Sequence, residues 1–230
     1  MYFKSRAEAG RMLAAKLTAY SNSNTVVIAL TPGAVIVGAQ IAMEIHATLM
    51  MLLTENITLP GENDPLAAIS SDNTFTYNNK FSTGEIEEMH DEYLGFIESQ
   101  RLEHLHHLHA LLGHGGEIHR ELLRHKVVIL VSDGLSSGFS LDIASDYLKA
   151  IHIKKLIVVT PIASVAAVDK MHLVGDELIC LSVIENYMET NHYYDDNTIP
   201  DTQGLVKILM TTPVNWVQRT DPPKPPTKTS

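Results

Sequence analysis

Cysteine is nearly absent from this chain: Cys180 is the single example in 230 residues. One thiol can neither close an internal disulfide nor supply a CxxC metal site, so a disulfide-stapled scaffold is excluded and a reducing, cytoplasmic setting is expected. Basic residues are scarce too, with 17 Lys and Arg against 27 Asp and Glu and a formal charge of −10. Wrapping nucleic acid requires clustered cations to neutralise phosphates, so no nucleic-acid partner is expected. The most apolar stretch, residues 41–53, is interrupted by Glu44 and His46 and is too short for a bilayer. The opening Met1-Tyr2-Phe3-Lys4-Ser5-Arg6 leads into an amphipathic pattern and not an apolar signal core, so no membrane partner is expected either. No Walker loop occurs.

Apolar content is ample. Hydrophobic residues make up 45% and charged residues 19%, which gives an ordinary globular core and excludes disorder except at the ends. The length suits one sizeable α/β domain. Residues 6–17 have helical spacing, 25–30 form a β-branched run suited to a strand buried on both faces, and Thr31-Pro32-Gly33 breaks it. Helical spacing returns over 34–46, and 49–53 is the next strand candidate. Residues 57–77, with Pro60-Gly61 and Asp64-Pro65, read as a flap of short antiparallel strands or a hairpin. A long polar helix follows from Ser82 to about His109, with Thr83 as its cap, and the glycines of 113–116 end it. Strand 127–131, loop 132–140 and helix 141–150 come next. Then follow strand 156–160 stopped by Pro161, a helix through Ala167 and Met171, and a last core strand over 177–182. A loop at 193–196, a closing helix at 203–210 and a disordered Pro-rich tail over 221–230 complete the reading.

This alternation predicts a single α/β domain over 1–220, a central parallel sheet flanked by helices, with a hood, or flap, and long helix inserted over about 55–125. The strongest chemical signal is Val127-Val128-Ile129-Leu130-Val131-Ser132-Asp133-Gly134-Leu135-Ser136-Ser137-Gly138-Phe139-Ser140. A buried strand runs into an acid, then small residues, then a helix. Small residues let successive N–H groups converge on an anion, the helix N-terminus adds favourable field, and Ser136, Ser137 and Ser140 add hydroxyls. A plain strand-to-helix turn capped by Ser140 accounts for the same pattern.

That run resembles the phosphoribosyl diphosphate (PRPP) motif of type I phosphoribosyltransferases: apolar residues, two acids, three variable residues, then Thr/Ser-Gly-x-Thr/Ser. The resemblance implies the phosphoribosyltransferase type I fold with its hood. Ser136, Ser137, Gly138, Phe139 and Ser140 would form the 5-phosphate loop, with Gly134 in the turn before it, and Asp133 would be the catalytic acid facing the ribose hydroxyls. Ser132 stands where the first acid belongs. The opening Phe3-Lys4-Ser5-Arg6-Ala7-Glu8-Ala9-Gly10-Arg11 is similar to a bacterial branch of the family, and Tyr193-Tyr194-Asp195-Asp196 to its aromatic-acidic segment. Thr31-Pro32-Gly33-Ala34 stands where that branch has Pro-Arg-Gly-Gly to hold pyrophosphate. The Arg is absent, Pro32 has no N–H to give, and the Arg-Lys pair expected near Leu53-Thr54 is missing. Losing one preorganised donor costs roughly 10²–10³ in rate.

The resemblance therefore implies a PRPP-binding or other ribose 5-phosphate-binding protein, with Mg²⁺ as cofactor and a small phosphorylated ribose ligand as partner. Transfer to a base and a homodimer are implied as well. A catalytically degenerate sensing or scaffolding module is the alternative. A third reading starts from histidine: six of the 12 are His104, His106, His107, His109, His114 and His119. Glu103, His104 and His107 share a helical face at metal-ligand spacing. A solvated face with Leu102, Leu105, Leu108 and Leu112 packed inward explains the segment without metal, and that is the expectation. Cys180 is expected to be core and not nucleophile.

Overall fold

The computed structural model describes residues 2–21, 24–62, 64–112 and 120–212. A short strand β1 (Phe3–Ser5) turns into α1 (Arg6–Ala14), where the Ser5 side chain accepts from the Glu8 N–H as N-cap. β2 (Thr25–Ala29) is buried on both faces. It feeds α2 (Pro32–Ile45), started by Thr31 as N-cap and Pro32 at its first turn. β3 (Thr48–Met51) follows, and later β7 (Val127–Val131), α4 (Phe139–Leu148), β8 (Lys155–Ser164), α5 (Val165–Val174) and β9 (Glu177–Ile184). The central sheet runs β3-β2-β7-β8-β9 and every pair in it is parallel. The predicted central parallel sheet flanked by helices is what the chain forms.

Alternation along the strands builds two cores. Val27, Ala29, Ile129, Val131, Ile157 and Val159 point to one face, against Leu13 and Leu17, Val35, Ile41 and Ile45 of α2, and Leu205 of a C-terminal helix, Thr202–Thr211. Val26, Ile28, Val128, Leu130 and Val158 point to the other, against Leu141, Ala144 and Leu148 of α4 and Ala167 and Met171 of α5. Such two-sided burial explains why these strands read as continuous apolar runs.

The middle segment forms its own antiparallel sheet, β4 (Thr54–Ile57), β5 (Ala67–Ser70) and β6 (Phe75–Tyr77), followed by α3 (Thr83–Leu112). Leu59, Leu66 and Ile97 bind the two together. Ala68 of β5 packs on Phe139 and Ile143 of α4, which seats this hood over the start of that helix.

Several local expectations need correction. Ser82, and not Thr83, caps α3: Glu85 N–H donates to Ser82 Oγ at 3.4 Å and Ser82 N–H to Glu85 Oε2 at 2.8 Å, a reciprocal capping box. β8 does not stop at Pro161. The ring removes one N–H, and Pro161 is the residue without a register partner between Ile157 and Ser164, so the ladder to β9 resumes at Ile162. β9 is a half-buried edge and not a core strand. Tyr194–Asp196, expected in a loop, is strand β10, parallel to β1 with Phe3 opposite Tyr194 and Ser5 opposite Asp196. Leu102 is 66% exposed, so of the leucine stripe Leu108 is the buried member. The expected glycine stop at 113–116, the packing of Leu112, His114, His119 and the tail over 221–230 lie outside the described residues. Among the described residues, no helix is long and apolar enough to cross a membrane.

Candidate ligand site at the ends of β2 and β7

β2 and β7 are adjacent, so the loops leaving their C-terminal ends lie side by side, the position at which open α/β sheets bind ligands. Leu30 N–H donates to Val131 O at 2.9 Å and fixes the two loops in register. Thr31 is the hinge between them. Its Oγ1 accepts from Ala34 N–H at 3.0 Å and donates to Asp133 Oδ1 at 2.6 Å. Gly33 and Ala34 are buried behind it, and Pro32 is exposed. A Cβ on Gly33 would fall 2.1 Å from Asp133 Oδ2, so glycine is required for this close approach.

The second oxygen of Asp133 meets a cation from the far end of the chain. Arg6 Nε–H donates to Asp133 Oδ2 at 2.8 Å, with side chains 2% and 8% exposed. The guanidinium also donates from Nη2 to Asn191 Oδ1 at 2.6 Å and lies 4.6 Å from the centre of the Tyr194 ring. Tyr194 O–H donates to the Asp133 carbonyl at 2.5 Å. Burial first, and then the Asp133 charge, raise the Tyr194 hydroxyl well above the ordinary tyrosine range. Burial likewise pushes Tyr187 up to about 12; its hydroxyl pairs with Thr190. Sequence reasoning missed Arg6, Asn191, Tyr187 and Thr190, and placed Tyr194 only by resemblance. The one available signal for Arg6 was its place in the family-like opening segment.

Ser132 is 1% exposed and spends its hydroxyl inside its own turn, donating to Gly134 O at 2.9 Å and accepting Gly134 N–H at 3.2 Å. The loop then anchors to β8: Leu135 N–H donates to Ile162 O at 3.0 Å and Ser164 Oγ–H to Ser136 O at 2.5 Å. Ser136 and Ser137 stay exposed. Gly138, at φ +77, is the N-cap of α4 and offers no side-chain cap. Ser140 is not the cap: it is the second residue of α4, because the left-handed turn at Gly138 starts the helix two residues earlier. Phe139 is buried against the hood. The sequence-predicted residues 31–34 and 132–140 thus gather at one end of the sheet. The exposed hydroxyls at 136–137 open to solvent, while Asp133 is enclosed.

The histidine helix forms a different cluster. His104 and His107 both pair through Nδ1 with Glu55 of β4, while Glu103 pairs with Gln100. Among the described residues no group of three or more His, Cys, Asp or Glu is placed to hold a metal ion. Cys180 is half-buried, and burial raises its thiol, the wrong direction for a nucleophile.

No protein-family model matches the chain. A curated protein of Mycobacterium tuberculosis named "Putative phosphoribosyl transferase" is 24% identical over 208 residues, 90% of this chain. The chain spans about half the length of that protein, 46%. A crystal structure from Thermus thermophilus superposes with a TM-score of 0.69 at 21% identity, covering 91% of this chain and 98% of the other. The chain is similar in sequence to a protein that bears the phosphoribosyltransferase name. A purine phosphoribosyltransferase of Pyrococcus horikoshii is a more distant match in shape, at a TM-score of 0.46 and 13% identity. In this chain the Asp133 carboxylate is clamped from both sides, through Arg6 and Thr31.

Proposed function

We propose that this protein binds a ribose 5-phosphate compound at the ends of β2 and β7 and transfers its ribosyl group slowly or not at all. The 5-phosphate would sit at Ser136, Ser137, Gly138, Phe139 and Ser140, where the α4 N-terminus and the exposed hydroxyls offer donors. Asp133, with Gly134 in the turn beside it, would take ribose hydroxyls on the lone pairs left by Arg6 and Thr31. What carries the reading is one juxtaposition: an open phosphate loop on the same turn as an acid already neutralised by Arg6.

Energetics support the division between binding and turnover. A phosphate anchor is equally strong in ground and transition states, so by itself it lowers KM without raising kcat. Acceleration needs donors aimed at the departing group. Here Pro32 has no N–H, the Thr31 hydroxyl is committed twice, and the Ser132 hydroxyl is turned onto Gly134. The donor set does not fit a protein-held Mg²⁺, since Ser132 replaces an acid and Asp133 is paired with Arg6. No step is derived through that ion.

The test is calorimetric titration with ribose 5-phosphate, alongside an assay of pyrophosphate release from PRPP with purine, pyrimidine and nicotinate-type bases. Binding with turnover far below the ~1–10³ s⁻¹ of typical enzymes is expected. Turnover in that range defeats the reading, and so does an absence of binding.

A further inference from the structure

The loop that leads from β7 into α4 holds no cation of its own. Residues 132–140 contain no Lys, Arg or His, and acids flank the proposed phosphate position, Asp133 before it and Asp142 in the first turn of α4. Asp142 N–H donates to Gly138 O at 3.3 Å, which places this residue one turn into the helix whose N-terminus would hold the phosphate. A phosphate monoester carries about −1.5 to −2 charges at neutral pH, and the chain itself carries −10. The helix N-terminus contributes only about half a positive charge. Arg6 answers Asp133. Unless Asp142 is answered as well, its carboxylate works against any anion in the loop.

The answer comes from α5. Lys170 Nζ pairs with Asp142 Oδ1 at 2.6 Å, with side chains 21% and 12% exposed. Its stem lies against the loop: a Cβ on Gly138 would fall 2.9 Å from both Cβ and Cγ of Lys170. The loop and α5 are also tied together, because Ser164, the N-cap of α5, donates its hydroxyl to Ser136 O at 2.5 Å. A lysine ammonium is a compact charge on a flexible four-carbon stem. With that stem seated beside Gly138, the charge can turn from Asp142 toward an anion at 137–140 without any movement of α5.

We infer that Lys170 is a binding residue of the phosphate loop: it offsets Asp142 and lends its charge to the bound phosphate, which makes α5 part of the ligand site. This rests on the proposed reading of the 5-phosphate loop. The full chain, Lys170→Met, Asp142→Asn and the double variant are titrated calorimetrically with ribose 5-phosphate at two salt concentrations, with folding checked by circular dichroism. Met keeps the unbranched stem beside Gly138 and removes the charge. Lys170→Met is expected to weaken binding roughly 10–100-fold, the range of a hydrogen bond to a charged group, and to flatten its salt dependence. Asp142→Asn is expected to tighten binding, because it removes the competing carboxylate and frees the ammonium. A merely structural ion pair would weaken binding in both variants, so the opposite signs are the readout. Binding by Lys170→Met within about twofold of the unmodified chain, or a loss of affinity in both single variants, overturns the inference while leaving the 5-phosphate reading standing. Should Lys170→Met fail to fold, the double variant decides: weaker binding than Asp142→Asn supports the inference, and equal binding overturns it. No binding of ribose 5-phosphate by the unmodified chain overturns the 5-phosphate reading and the inference with it.

Discussion

Removing the Arg6 guanidinium should be among the most damaging single changes in this protein. In Arg6→Met the side chain keeps much of its bulk, but Asp133, 8% exposed, loses its charge partner and keeps only the Thr31 hydroxyl on its carboxylate. Breaking a buried pair from one side costs about 3–5 kcal/mol, because an uncompensated charge stays out of water. With a urea m-value of about 3 kcal/mol/M, the unfolding midpoint should fall by about 1–1.7 M. Asp133→Leu should be costly for the converse reason, since it strands the guanidinium. The double variant replaces both charges with apolar groups, so it should lose much less than the sum, with a coupling of about 2–3 kcal/mol. Urea denaturation of the four proteins, followed by circular dichroism at fixed pH and salt, measures the cycle. A cost for Arg6→Met of no more than about 1 kcal/mol, the ceiling of exposed pairs, or strict additivity would refute the clamp.

Gly138→Val should fold, yet lose phosphate binding. It forces a side chain into φ +77 with its Cβ 2.9 Å from Lys170 Cβ, at a cost of roughly 1–2 kcal/mol for the left-handed residue alone; thermal unfolding with and without phosphate checks both parts. Alkaline titration of tyrosinate absorbance should show Tyr187 and Tyr194 ionising last. Because Tyr187 is raised from its ordinary 10.0 to about 12, the stability it contributes is complete below pH 10 and lost as pH rises toward 12. A normal titration of all tyrosines in the folded protein would contradict this. Glu55→Gln should cost about 0.5–1.5 kcal/mol, since it weakens the hydrogen bonds to His104, 18% exposed, and to the more exposed His107; chemical denaturation at fixed pH is the check.

The central sheet was legible because residues such as Val26, Ile28, Val128 and Leu130 face packed helices on either side, leaving no polar alternation to confuse the pattern. The hood was legible from its breakers, Pro60-Gly61 and Asp64-Pro65, between short strands. The β1–β10 pair was not: three-residue strands carry no periodicity, and their partners are 191 residues apart in sequence, as Phe3 and Tyr194. For the same reason the loops of the candidate site could be read but not their occupant, since nothing local to Asp133 announces an arginine 127 positions earlier. His104 and His107 were correctly placed on one face, yet Glu55 joined them in place of Glu103, because the hood brought in a carboxylate from another element.

The β1–β10 pairing also dictates when the site can exist during synthesis. Arg6 emerges before Asp133, and Asn191 and Tyr194 emerge after it, with separations of 127 and 185 residues within one polar network. Contacts so distant in sequence form late, because the loop between them must close before they stabilise anything. A nascent chain can therefore complete β2, α2 and β7 while Asp133 is still hydrated and Arg6 still unclamped by Asn191. Only when residues 194–196 lie beside 3–5 does the network close around the carboxylate. The site is in this sense a seal on the finished fold, and folding intermediates should carry an open, solvent-filled version of it.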